Sequence, residues 1–107
     1  VGDLVLGEVA RRLARERRAG ELIARIGGEE FAWILPMSDT DGALAAVERA
    51  RAAVAREAIG PAGRLTLSAG VAGLRPGRTA EDLFWRADGA LYQAKESGRD
   101  RTVLAFE

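Results

Sequence analysis

At 107 residues the chain is long enough for one domain with a real core and too short for two. It contains no cysteine and no histidine, which excludes disulfides, thiolate or imidazole metal sites, a cysteine nucleophile and histidine acid–base chemistry. Its 16 basic and 16 acidic residues cancel, so a uniformly basic nucleic-acid-binding surface is not expected; any chemistry falls to carboxylates, whose natural partner is a hard cation such as Mg2+. Hydrophobic residues at 48% and charged residues at 30% are those of a soluble globular domain. No apolar run approaches the roughly 20 residues of a membrane span and no signal-peptide pattern opens the chain, so a cytoplasmic location without membrane contact is expected.

The first element is an amphipathic helix of about four turns. Leu6, Val9, Ala10 and Leu13 recur at helical spacing, with Arg11, Arg12, Arg15 and Glu16 on the other side. Gly2-Asp3 stands at its start, where Asp3 is a good N-cap. Arg17-Arg18-Ala19-Gly20-Glu21 reads as a charged helix end with a glycine stop. Leu22–Ile26 and Phe31–Leu35 follow as two runs rich in β-branched and aromatic residues, separated by Gly27-Gly28-Glu29-Glu30. This predicts a β-hairpin, because a glycine pair accepts the positive φ angles of a tight turn. Neighbouring strand residues point to opposite faces, so Glu29 and Glu30 cannot share one task. An ordinary solvated turn is the plainer reading of the same residues.

Ser38-Asp39-Thr40-Asp41 is a cluster of capping residues, and Leu44, Val47, Ala50 and Val54 continue it as a helix that stops near Gly60-Pro61. Arg49 is an exposed cation on that helix. Arg64–Ala72 is the strongest strand pattern, with Leu65, Leu67, Ala69 and Val71 on one face and Gly70 allowing close backbone approach. Thr79-Ala80-Glu81-Asp82 is a capping box with Asp for Glu. The stripe Leu83, Ala87, Leu91, Ala94 makes the last helix, with Gly98 at its C-cap. Lys95, the only lysine, and Arg99 are four residues apart and so are expected on one helix face, where they also complement the helix dipole. Thr102–Phe106 is a closing strand. The coarse order is αββαβαβ.

Arg25 and Gly27-Gly28-Glu29-Glu30-Phe31 resemble the signature of the GGDEF family of diguanylate cyclases in its G-G-E-E-F form. Gly2-Asp3-Leu4-Val5-Leu6 is similar to the family's G-D-x-V-L, Ser68–Ala72 to its S-x-G-V-A strand, and Ala87–Lys95 with Gly98-Arg99 to its A-D-x-A-L-Y-x-A-K and following arginine. Asp100 stands where the family more often has Asn. The resemblance covers nearly the whole of residues 1–107 as one GGDEF domain. It implies an α/β (α+β) fold: a mixed, largely antiparallel sheet flanked by helices, like the palm of nucleotidyl cyclases and polymerases.

The resemblance also implies a function: condensation of two GTP into cyclic di-GMP and two pyrophosphates by two domains that face each other as a homodimer, with an upstream sensory or regulatory domain. It places Glu29 as a metal ligand, and Glu30 as a second ligand or an aid to deprotonation, with Mg2+ or Mn2+ as cofactor. Asp3 and Leu6 belong to the substrate site, Asp3 reading guanine. Gly27 and Gly28 let the nucleotide approach the backbone, and Lys95 and Arg99 hold the triphosphate. Arg18-Ala19-Gly20-Glu21 lies at the offset of an R-x-x-D product-binding site, with Glu for Asp and Arg49 as its second arginine. The alternative is a module that keeps the fold and binds GTP or cyclic di-GMP without catalysis.

Family members normally begin with a strand and helix carrying D-x-D-x-F-K and N-D-x-x-G-H. Neither precedes Val1, so the metal-binding Asp and guanine-binding Asn of those motifs have no counterpart to carry over. The start without Met favours a retained part or fragment of a longer protein. A chain truly beginning at Val1 is expected to expose a sheet edge and to be poorly stable, exchange strands or aggregate.

Overall fold

The computed structural model describes residues 2–27 and 30–105. Helix α1 (Asp3–Ala14) leads into a hairpin of β1 (Leu22–Gly27) and β2 (Glu30–Ile34). Helix α2 (Thr40–Ala55) follows, then a short 3-10 turn (Gly60–Ala62), β3 (Ala69–Val71), α3 (Ala80–Glu96) and β4 (Thr102–Leu104). The expected order is therefore present.

The strands form two separate ladders. β1 and β2 pair antiparallel, with Ile23 opposite Trp33 and Arg25 opposite Phe31. β3 and β4 pair parallel, with Ala69 opposite Thr102 and Val71 opposite Leu104. A parallel pair needs a crossover, which α3 supplies while packing on both strands.

The strand expected over Arg64–Ala72 is shorter than its pattern. Only Ala69–Val71 joins a ladder. Leu65 and Leu67 still turn inward against the core, so alternate burial exists there without a hydrogen-bonded neighbour. Apolar burial and ladder formation are separate requirements, and the sequence pattern reports only the first.

The core lies between α1, α2 and the hairpin. Val9 and Leu13 of α1 meet Ala50 and Val54 of α2, with Ile59 and the hairpin's Ile23, Phe31 and Trp33 closing the cluster. Val54 is fully buried. Two helix starts follow the expected chemistry. The Asp39 side chain accepts from the Gly42 N–H at 2.8 Å, and the Thr79 hydroxyl accepts from the Asp82 N–H at 3.0 Å. The capping box at α3 is one-sided, because Asp82 turns to Arg78 at 3.4 Å. Helix α2 ends at Ala55, before the expected stop at Gly60-Pro61. No helix among the described residues is long and apolar enough to cross a membrane.

Candidate active site

The hairpin carries the Gly27–Phe31 motif between its strands. A register shift between Arg25 and Gly27 puts Ile26 out of the ladder and sets Gly27 opposite Glu30. Gly27 has φ +154°, a backbone conformation that a side chain disfavours. Gly28 and Glu29 lie outside the described residues. Glu30 is the first residue of β2 and is half-exposed.

Helix α3 reaches this tip from 65 residues away in sequence. The Lys95 ammonium donates to Glu30 Oε2 at 3.2 Å. A partly exposed pair of this kind adds little stability. Its value is positional, because it places the only lysine beside a motif carboxylate.

Arg99 is not on the helix face of Lys95, contrary to the spacing argument. Helix α3 ends at Glu96, and the C-cap is Ser97. Gly98, at φ +120°, lies one residue further on. The Arg99 N–H donates to the Ala94 carbonyl at 2.9 Å and the Gly98 N–H to the Lys95 carbonyl at 3.5 Å, the Schellman pattern. Arg99 (φ 64°) and Asp100 (φ 47°) are then both left-handed without being glycine. Such residues cost about 1–2 kcal/mol each, so their surroundings must hold them.

A cleft of about 340 Å³ opens between α1 and the hairpin. Asp3, Leu6 and Gly7 line one wall, and Ile23, Arg25 and Phe31 the other. Asp3 is exposed in the first turn of α1 and is not its cap; Gly2 is, without a side-chain bond. The Asp3 carboxylate is thus left to face the cleft. Leu6 is largely buried and supplies an apolar wall.

The candidate product site is partly absorbed by the fold. Glu21 Oε1 accepts from the Arg18 N–H at 3.0 Å and from the Trp33 indole N–H at 3.1 Å. The Glu21 N–H donates back to the Arg18 carbonyl at 3.0 Å. The Glu21 carboxylate therefore fastens the turn to β2. Arg49 lies against Glu16 at 3.4 Å.

Two arginines matter more than their sequence context indicates. Arg12, assigned to the outer face of α1, instead donates to the carbonyls of Val54 at 2.8 Å and Glu57 at 2.7 Å, binding the end of α2. Cations suit that end of a helix. Arg51 of α2 donates through Nε to the Leu67 carbonyl at 2.9 Å and through Nη2 to Asp100 at 2.8 Å. It also holds Glu48, which accepts from the Thr102 hydroxyl. That hydroxyl, and then Arg51, keep the Glu48 carboxyl below its ordinary pKa. Glu8 is likewise lowered, chiefly by Arg12 and then Arg11. Beyond their local pairs with Glu8 and Glu48, Arg12 and Arg51 reach carbonyls and side chains remote in sequence, which no local pattern marks.

A parallel strand pair, a two-strand hairpin with carboxylate at its tip, and a helix end bringing lysine to that carboxylate define a palm-like nucleotidyl-cyclase domain. The sequence pattern of "Diguanylate cyclase, GGDEF domain" matches residues 1–101, and the chain belongs to this family. It is 43% identical over 104 residues to diguanylate cyclase DgcM of Escherichia coli, covering 97% of this chain and 25% of that protein. It thus spans about a quarter of that relative's length. The fold superposes on the GGDEF domain of DgcB from Caulobacter crescentus, solved in complex with c-di-GMP, with a TM-score of 0.91 at 32% identity, covering 95% of this chain and 63% of that one. It also superposes on the active GGEEF domain of a diguanylate cyclase from Vibrio cholerae, with a TM-score of 0.90 at 30% identity, covering 98% and 69%.

Proposed function

We propose that this domain takes part in cyclic di-GMP synthesis as a diguanylate cyclase. The observation that carries the reading is the Lys95–Glu30 contact, which joins two separate family motifs at the mouth of one hairpin. In the reaction, the 3′-hydroxyl of one GTP attacks the α-phosphorus of another. A new P–O bond forms, the α–β P–O bond breaks and pyrophosphate leaves. A second such exchange closes the ring, so two GTP give one cyclic di-GMP and two pyrophosphates. Each attack is made across the face between two domains, so a homodimer is required.

Asp3 would accept from the N1–H and 2-amino group of guanine in the cleft beside α1, with Leu6 as its apolar wall. Gly27 and Gly28 would let the nucleotide lie against the hairpin. Lys95 and Arg99 would hold the triphosphate. Glu30 would hold the proton released by the 3′-hydroxyl or serve as a metal ligand beside Glu29.

The described residues hold no group of three or more carboxylates close enough for a protein-only cation cage. The pair Glu29 and Glu30 still fits Mg2+ or Mn2+, which typically binds one or two carboxylates and completes its shell with substrate phosphates and water. A bound cation there would offset charge on the phosphate oxygens.

The test is GTP turnover with Mg2+ at high protein concentration, the product being identified by mass. Cyclic di-GMP is the expected product, and Glu29→Ala is expected to abolish turnover with the helical circular dichroism unchanged. Turnover that survives Glu29→Ala overturns the assignment. Binding of GTP or cyclic di-GMP with no product points to the non-catalytic module. For Arg18, Glu21 and Arg49 we propose at most weak product binding, since Glu21 is already engaged by Trp33. Inhibition of turnover by cyclic di-GMP that vanishes in Arg18→Ala would contradict this.

A further inference from the structure

The turn after α3 is held at successive backbone groups. The Arg99 N–H is bound by the Ala94 carbonyl at 2.9 Å, and the Arg99 carbonyl accepts from Arg101 Nε at 3.0 Å. The Asp100 N–H donates to Ser68 Oγ at 3.1 Å, and the Arg101 carbonyl accepts from the Ala69 N–H at 2.9 Å. The Asp100 carboxylate is gripped by Arg51 Nη2 at 2.8 Å. Among the described residues, the Arg99 guanidinium itself makes no hydrogen bond or ion pair. A side chain left open on a backbone so thoroughly held is a presented side chain.

Arg51 is the residue that ties this turn to the rest of the molecule. Its side chain is only 14% exposed. Nε is spent on the Leu67 carbonyl and Nη1 on Glu48, which leaves Nη2 directed at Asp100. The rigid planar fork holds these three partners in one fixed geometry, which a compact ammonium does not reproduce. We propose that Arg51 is a positioning residue for nucleotide binding: its ion pair with Asp100 fixes the left-handed turn that presents the Arg99 guanidinium to the triphosphate. This rests on the assignment of Arg99 to the triphosphate made above. At this position, where the family more often has Asn, the exposed Asp100 carboxylate meets a half-buried guanidinium.

The experiment measures the Kd of a non-reactive GTP analogue by calorimetry, with a thermal melt of each variant. Arg51→Met is expected to weaken binding about tenfold, and the double variant with Arg99→Ala to bind no more weakly than Arg99→Ala alone. Asp100→Ala, at an exposed site, is expected to weaken binding several-fold with an unchanged melt. Asp100→Asn, which keeps an acceptor but loses the charge, should weaken binding less than Asp100→Ala. A purely structural clasp would instead give effects that multiply in the double variant, or an Asp100→Ala protein that binds as the parent does; either overturns the proposal. If Arg51→Met does not fold, the two Asp100 variants decide. If Arg99→Ala alone binds normally, the assignment of Arg99 fails first and takes the proposal with it.

Discussion

The two strand pairs solve one problem by opposite means. The β1–β2 hairpin is local: its strands are adjacent in the chain and pair antiparallel, with Ile23 opposite Trp33. The β3–β4 pair is non-local: its strands are bridged by a 17-residue helix and clamped from outside by Arg51. The first presents the Glu30 carboxylate at the start of β2. The second presents an arginine on a turn held by contacts from three directions. A motif carboxylate can therefore be specified by a few adjacent residues, whereas the conformation around Arg99 depends on the packing of distant elements.

Glycine substitutions break this comparison most sharply. A Cβ on Gly70 of β3 would sit 2.2 Å from the Ala87 carbonyl oxygen and 2.3 Å from the Leu91 nitrogen, both backbone atoms of α3. Gly70→Ala must therefore push α3 off the strand. We expect a loss of about 3 kcal/mol in a urea titration, together with weaker binding of the GTP analogue through the displaced Lys95 and Arg99. A midpoint equal to the parent's would show that α3 does not rest on β3 as described.

Gly27→Ala tests the other region. Nothing lies within 4 Å of a Cβ at that position, so space is not the obstacle. The φ of +154° is. The expected loss is about 2 kcal/mol from backbone strain, confined to the hairpin, with the β3–β4 amides retaining their protection from hydrogen exchange. Equal loosening of both ladders would mean that they form one cooperative unit.

Acid gives the smallest and most selective effect. Glu48 has a folded pKa below its ordinary value of 4.5, so its contribution is fully present above about pH 4.5 and is lost as pH falls through the lower folded value. Protection factors at Val103 and Gly70 are expected to fall in that acid range more than those at Ile23 and Trp33. Glu48→Gln should remove the difference. An unchanged contrast between the ladders in Glu48→Gln would show that the Glu48–Thr102–Arg51 cluster does not hold β4.

How much was legible varies with the range of the contact. The hairpin, three helices, the Asp39 and Thr79 caps and the close approach at Gly70 all follow from residues near one another in the chain. Arg12 and Arg51 read as ordinary helix cations, because guanidinium groups leave no periodic trace when their partners are carbonyls 42 or 16 residues away. The Arg64–Ala72 pattern overreached for the related reason that alternation records burial and not pairing. The positions of Glu29 and Gly28, on which the motif centres, lie outside the described residues.

The sequence by itself determined the family, the element order and the hairpin. Those properties live in local spacing and in the identity of side chains. Only the tertiary structure decided that Lys95 meets Glu30, that Arg99 leaves the helix for a left-handed turn, that Asp3 is free of capping and faces a cleft, and that Arg51 holds the turn in place. Each of these depends on where remote elements pack, and packing is a property of the whole chain that no single segment carries.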